Sequence, residues 1–198
     1  MDNSIKLALS GVAIVLALAG FIPYFLLILK EQVRPHVFSW MIWGITTTIV
    51  FFAQLEADGG VGAWPIGLSG FVTILIAILA YIKRGDSTNT PSDWWCLIAA
   101  LASLPLWYVT QDPLWTVIIL TTIDMLGFGP TFRKAYYRPY EESRMFFVIM
   151  VIRNVCSVLA LEAYSVTTVL FPLCLAIGCI ILLIILQYRR AILTRSAI

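Results

Sequence analysis

Long apolar runs alternate along the chain with short polar segments. The runs lack the strict period-2 alternation of half-buried or barrel strands. A helix needs ~20 apolar residues to cross a ~30 Å hydrocarbon core. Seven runs meet or approach that length: Ile5–Leu29, Val37–Leu55, Trp64–Ile82, Trp94–Val109, Leu114–Phe132, Met145–Ala163 and Thr167–Tyr188. The fourth is the shortest and holds Pro105. In lipid, backbone N–H and C=O groups must find partners within the chain, so helices are the expected form. The pattern predicts an all-α polytopic membrane protein with seven transmembrane helices. Lys6, the apolar stretch after it and Ala17-Leu18-Ala19 imitate a signal peptide and its cleavage site. The apolar run continues past Ala19 to Leu29, however, which favours a retained first helix.

Composition agrees: the chain is 61% hydrophobic and 12% charged, far from the balance of a soluble domain. The few cations carry topology. The loops after helices 1, 3 and 5 and the C-terminal tail hold eleven: Lys30, Arg34, Lys83, Arg84, Arg133, Lys134, Arg138, Arg144, Arg189, Arg190 and Arg195. The other side holds Lys6, and Arg153 falls inside a run. The positive-inside rule puts the N-terminus outside and the C-terminus in the cytoplasm, which requires an odd number of spans. A bacterial inner (plasma) membrane is the expected location. The net charge of +2 is thus a topological signal and implies no nucleic-acid partner. The longest loop, Arg133–Arg144, has no room for a soluble domain, so function is expected within or across the bilayer.

The chain also repeats itself. GFIPYF (Gly20–Phe25) corresponds to GFGPTF (Gly127–Phe132), RPHVFSWM (Arg34–Met41) to RPYEESRM (Arg138–Met145), and Trp64-Pro65 to Phe171-Pro172. The offsets are 107, 104 and 107, so one loop is three residues shorter and the register then recovers. This order predicts two three-helix bundles, residues 1–85 and 113–198, joined by a linker helix in 86–112. One linker span makes the two units enter the membrane in the same direction, a parallel 3+1+3 repeat. Repeats of this kind place a solute site at their interface, near the midplane.

This architecture, with a proline late in the first helix of each half, resembles the SWEET/PQ-loop (MtN3-like) transporter superfamily. The superfamily's Pro-Gln pair stands here as Pro23-Tyr24 and Pro130-Thr131, and helices 3 and 7 contain no Asn. The resemblance therefore implies the fold and alternating access but not sugar specificity. Trp40-Met41-Ile42-Trp43 is similar to the WxxW of PnuC-type vitamin transporters, which have a related fold. The superfamily also includes members that use an acid in the helix corresponding to helix 5 for proton coupling, which implies that role for Asp124.

Asp124 is the leading candidate by its own position as well. It lies ten residues after Leu114, ~15 Å along a helix and so about mid-membrane. A charge there costs ~2.5–3.5 kcal/mol and calls for a partner or a cavity. Arg153 falls at a similar depth in helix 6, beside Asn154 and one turn from Ser157, while Thr121 shares the Asp124 face. The expectation is a polar cluster between helices 5 and 6, with an Asp124–Arg153 pair that is either structural or a solute and proton site. Helix 2 offers Thr46, Thr47 and Thr48 opposite it. The repeat equates Asp124 with Ala17, and Arg153 and Asn154 with Ile49 and Val50, so the charged cluster belongs to the second half alone. Pro23, Pro130 and Pro172 each remove a helical N–H and are candidate kinks or hinges, whereas Pro65 fits a first turn.

Other residues read more plainly. Trp40 and Trp43, near the cytoplasmic end of helix 2, suit an interfacial aromatic belt better than stacking on a ligand. His36 is expected to be solvated, and EADGGVG (Glu56–Gly62) to be a flexible external turn. The four cysteines lack paired spacing and read as packing thiols. No span contains a lysine for a retinal Schiff base, and a single histidine leaves no haem or zinc set. No nucleophile–base set appears either, so an enzyme and a bound cofactor are not expected. The expected activity is transport of a small polar or amphipathic solute, proton-coupled through Asp124, with Trp40, Trp43, Thr47, Thr121, Arg153 and Asn154 around the site. Two complete units make a monomer sufficient. The alternative is a binding protein of KDEL-receptor-like fold that moves nothing.

Overall fold

The computed structural model of the protein describes residues 2–83, 91–110 and 112–195. Arg84 and the expected boundary between residues 85 and 86 lie outside the described residues, as do the side chains of Cys96, Trp107 and Arg195. The described chain is all-α. Its helices are α1 (Asn3–Leu29), α2 (Val37–Glu56), α3 (Trp64–Ile82), α4 (Pro91–Thr110), α5 (Pro113–Tyr137), α6 (Arg144–Ala160) and α7 (Val166–Arg195).

Local chemistry sets the ends. The His36 ring caps α2 by accepting from Ser39 N, Asp112 caps α5 by accepting from Leu114 N, and Ser143 caps α6 by accepting from Phe146 N. Pro65 and Pro113 occupy first-turn positions, where the missing N–H costs nothing. The exits from α1 and α2 share one device. Glu31 (φ 58°) and Asp58 (φ 56°) take the left-handed conformation, while Gln32 N returns to Leu27 O and Gly59 N to Gln54 O. The run expected to end at Ala163 stops earlier, because Leu161 is extended (φ −58°, ψ 139°). That expected to end at Tyr188 continues helically to Arg195.

Among the described residues five helices, α1, α2, α3, α5 and α7, are long and apolar enough to cross a membrane. Helix α6, with 17 residues, rises ~25 Å. The distribution of side chains is inverted relative to a soluble protein. Leu7, Val15, Ile22, Phe71, Ile78 and Ile184 face outward, while Thr46, Gln54, Asp124, Arg153 and Asn154 are buried. An apolar exterior with buried polar side chains inside is what a hydrocarbon solvent selects, and the protein is a polytopic helical membrane protein.

Packing does not follow chain order. Helix α3 lies against both α1 and α2, and α7 against both α5 and α6, whereas the α1–α2 and α5–α6 backbones come close at few or no points among the described residues. Two further seams join α1 to α6 and α2 to α5, and α4 rests on α2 and α5. The α2–α3 contact is the most extensive. It is close because a Cβ on Gly70 would stand 3.0 Å from Thr48 N. At Gly59–Gly62 the expected flexible turn is instead packed. Residues Gly60–Gly62 form a 3₁₀ turn, and a Cβ on Gly62 would meet Leu161 N at 2.7 Å.

Candidate functional site

A cavity of about 50 Å³ lies between these seams. Its two halves differ in character. Phe21, Trp40, Trp43, Phe128, Phe146 and Phe147 form aromatic walls, while Thr47, Ser69, Thr73, Arg153 and Asn154 supply the polar lining. The aromatic rings support one another: Trp40 meets Trp43 at 5.6 Å and 71°, and Trp43 meets Phe128 at 4.7 Å and 51°. By the repeat offsets Phe21 matches Phe128 and Trp43 matches Phe147, so part of the aromatic wall is duplicated, whereas Trp40 and Phe146 match Arg144 and Ile42, and Arg153 and Asn154 have the apolar counterparts Ile49 and Val50.

Arg153 is 2% exposed. It donates from Nη1 to Asn154 Oδ1 at 2.6 Å and from Nη2 to Pro65 O and Ser69 Oγ. Its Nε has no partner among the described residues. Asn154 in turn donates to Met150 O at 2.9 Å, and Ser157 donates to Gly62 O at 2.9 Å.

Asp124 lies elsewhere, at the α2–α5 seam. Thr46 donates to its Oδ1, Trp43 Nε1 donates to its backbone carbonyl at 3.2 Å, and Oδ2 has no partner among the described residues. One turn along, Ser39 donates to Gly127 O at 2.8 Å, and Thr131 to Ser39 Oγ at 3.2 Å. Positions 39, 43 and 46 share one face of α2, and 124, 127 and 131 share one face of α5. The seam is therefore a polar ladder, which in an apolar medium holds two helices in register.

The expected Asp124–Arg153 pair does not form among the described residues: the two side chains use different neutral partners. The physical reason is that α7 packs against both α5 and α6 and keeps them apart, so similar depth did not mean adjacency. Thr121 stays buried beside Asp124, its hydroxyl without a partner among the described residues, and neither residue lines the cavity. The helix-2 threonines divide: Thr46 goes to Asp124, Thr47 to the cavity, and Thr48 to Gly44 O within its own helix. Trp40 and Trp43 are buried in the core and are not an interfacial belt, because α2 sits inside the bundle rather than at its rim. His36 is likewise buried, at 1% exposure, and caps its helix rather than facing water. Pro23, Pro130 and Pro172 sit inside continuous helices.

A second buried cluster, at the end that carries most of the cations, has no sequence signature. Lys134 and Glu142, 4% and 3% exposed, form an ion pair of 2.8 Å. Lys134 also donates to Arg34 O in the α1–α2 connection, and Tyr24, stacked on Trp40 at 5.0 Å, donates to Glu142 Oε2 at 3.3 Å. Arg190 of α7 donates to Glu142 O and Pro139 O, each at 2.7 Å. Lys134 reads in sequence as one more topological cation; only the fold turns it inward.

The opposite end is tied by Ser10 donating to Val61 O at 2.6 Å, Lys6 to Glu162 O at 3.2 Å and Val61 N to Glu162 Oε1 at 3.2 Å. No protein-family model matches the chain, and neither a curated protein nor a solved structure is detectably similar to it.

Proposed function

We propose that the protein is a transporter that moves a small polar or amphipathic solute by alternating access, built as two parallel three-helix units joined by α4. The observation that carries this reading is the cavity bounded by α1, α2 and α3 on one side and α5, α6 and α7 on the other, with polar ties at both ends. The contacts support a pseudo-twofold relation, since α3 sits between α1 and α2 as α7 does between α5 and α6. The residues after the two prolines support it too. Tyr24 reaches Glu142 next to Ser143, and Thr131 reaches Ser39, the repeat counterpart of Ser143. In this reading the basic end is cytoplasmic, and Lys134, Glu142 and Tyr24 close that side while the Val61–Glu162 contacts close the other.

A cavity of this volume holds a few water molecules, so a larger solute requires the units to part. Pro130 provides a bending point, because it leaves the Leu126 carbonyl without its helical donor. Asp124 is the proposed proton site. Its ionised carboxylate accepts from Thr46. When protonated it donates to Thr46, whose hydroxyl then turns to Ile42 O, 2.9 Å away. The Thr46 hydroxyl is satisfied in either state, while Oδ2 keeps no partner among the described residues.

Uptake into proteoliposomes under an imposed pH gradient, with a panel of sugars, amino acids, nucleosides and organic acids, tests the reading. Asp124→Asn is expected to retain uptake and lose its response to the gradient. Full pH-dependent uptake by Asp124→Asn sinks the coupling. In the same assay Pro130→Ala is expected to slow uptake several-fold with little change in apparent affinity, and wild-type rates would remove the hinge. Saturable binding without flux for any solute would make the protein a receptor.

A further inference from the structure

We propose that the cavity takes a monocarboxylate with an aromatic or otherwise flat apolar body. This deepens the transporter reading and rests on it for the parting of the units that admits a body larger than a few waters, and for the solute's passage.

Among the described residues Arg153 is a buried charge without a counter-charge. Arg153 has five N–H donors and uses three on neutral oxygens, those of Asn154, Ser69 and Pro65. Among the described residues none of the ion pairs includes it, and the cavity lining holds no other charged side chain. A buried guanidinium in a low-dielectric surround is costly without an anion. Its Nε is unpartnered among the described residues, while both Nη2 hydrogens are spent on Pro65 O and Ser69 Oγ, so a carboxylate oxygen takes one charge-assisted hydrogen bond from Nε. Ser69, already on Nη2, has a hydroxyl proton of its own to turn toward the incoming oxygen.

The charge balance narrows the class. One cation in the lining matches one negative charge, whereas a dianion brings a second charge with no partner. Asp124 does not line the cavity, so the ammonium of an amino acid meets no carboxylate there. The body of the solute is set by the opposite walls. Trp40, Trp43, Phe128 and Phe146 present ring faces and edges, which hold a flat apolar group by stacking and dispersion.

The test uses the full chain in lipid nanodiscs and reads ligand-induced thermal stabilisation. The probes are benzoate, phenylacetate and indole-3-acetate, each against its neutral amide. At least one acid is expected to bind saturably and roughly 10-fold or more tighter than its amide. Arg153→Gln is expected to abolish that preference, with acid binding weakened roughly 30-fold. Equal binding of acids and amides, no binding of any acid, or an intact preference in Arg153→Gln overturns the inference. Should Arg153→Gln fail to fold, Ser69→Ala decides: a several-fold loss for the acid with the amide unchanged supports the site, and no change overturns it. Uptake assays separate the two readings. Acid preference without flux leaves the anion site and removes the transporter. Flux of neutral solutes without acid preference does the reverse.

Discussion

Lys134→Met is expected to destabilise the protein by ~3–5 kcal/mol, because it strands Glu142 without its cation in a buried position. The loss reflects the uncompensated carboxylate more than the worth of the pair. Removing both charges in Lys134→Met/Glu142→Leu is therefore expected to recover most of it. Glu142 also accepts from Tyr24, so the double variant leaves that hydroxyl without an acceptor and recovery is incomplete. Unfolding of the purified full-length chain in detergent measures all three variants. A single variant within ~0.5 kcal/mol of wild type would mean that water reaches this cluster and that the two segments are not locked there. The same variants carry functional information. If this end is a closure, loosening it shifts the population toward the open state and changes transport rate, whereas a purely structural cluster changes stability alone.

Trp43→Ala comes next in size, with an expected loss of ~3 kcal/mol. In a bilayer the transfer part of that figure is small, since an unpacked side chain finds lipid rather than water. What remains is the hole left between Trp40, Phe128 and the α5 backbone at Gly127, where a Cβ would stand 3.2 Å from Trp43 Nε1. Trp43→Phe keeps most of the ring contacts and loses the hydrogen bond to the Asp124 carbonyl, an expected cost of about 1 kcal/mol. Thermal unfolding of both variants separates packing from the hydrogen bond. Equal losses would show that the indole N–H, not the ring, holds the seam.

Both variants act on residues whose environment was hidden in the sequence. Trp43 lies close to the polar segment that precedes its helix, where a belt position is the ordinary one. It is buried because α2 is enclosed by α3, α4 and α5. Lys134 stands beside Arg133 at the basic end of its apolar run, and its burial depends on an acid eight residues later and on a carbonyl a hundred residues earlier. Asp124 and Arg153 show the complementary error. Their depths are legible from helix rise, but α7, which reaches both from the far end of the chain, decides that they do not pair.

The sequence by itself determined the helical membrane character, the approximate extents of the long apolar helices and the first-turn position of Pro65. These depend on hydrophobic length, local backbone chemistry and periodicity, all carried by residues near one another in the chain. The tertiary structure alone decided which polar side chains meet. It assigned Thr46 rather than Arg153 to Asp124, turned Lys134 and Glu142 inward, and left Asp124 and Thr121 out of the cavity that Trp40, Trp43, Thr47, Arg153 and Asn154 line. Those meetings depend on the lateral order of helices. In a membrane that order is set by close packing and by the few polar groups that must find partners, not by the apolar pattern that every span shares.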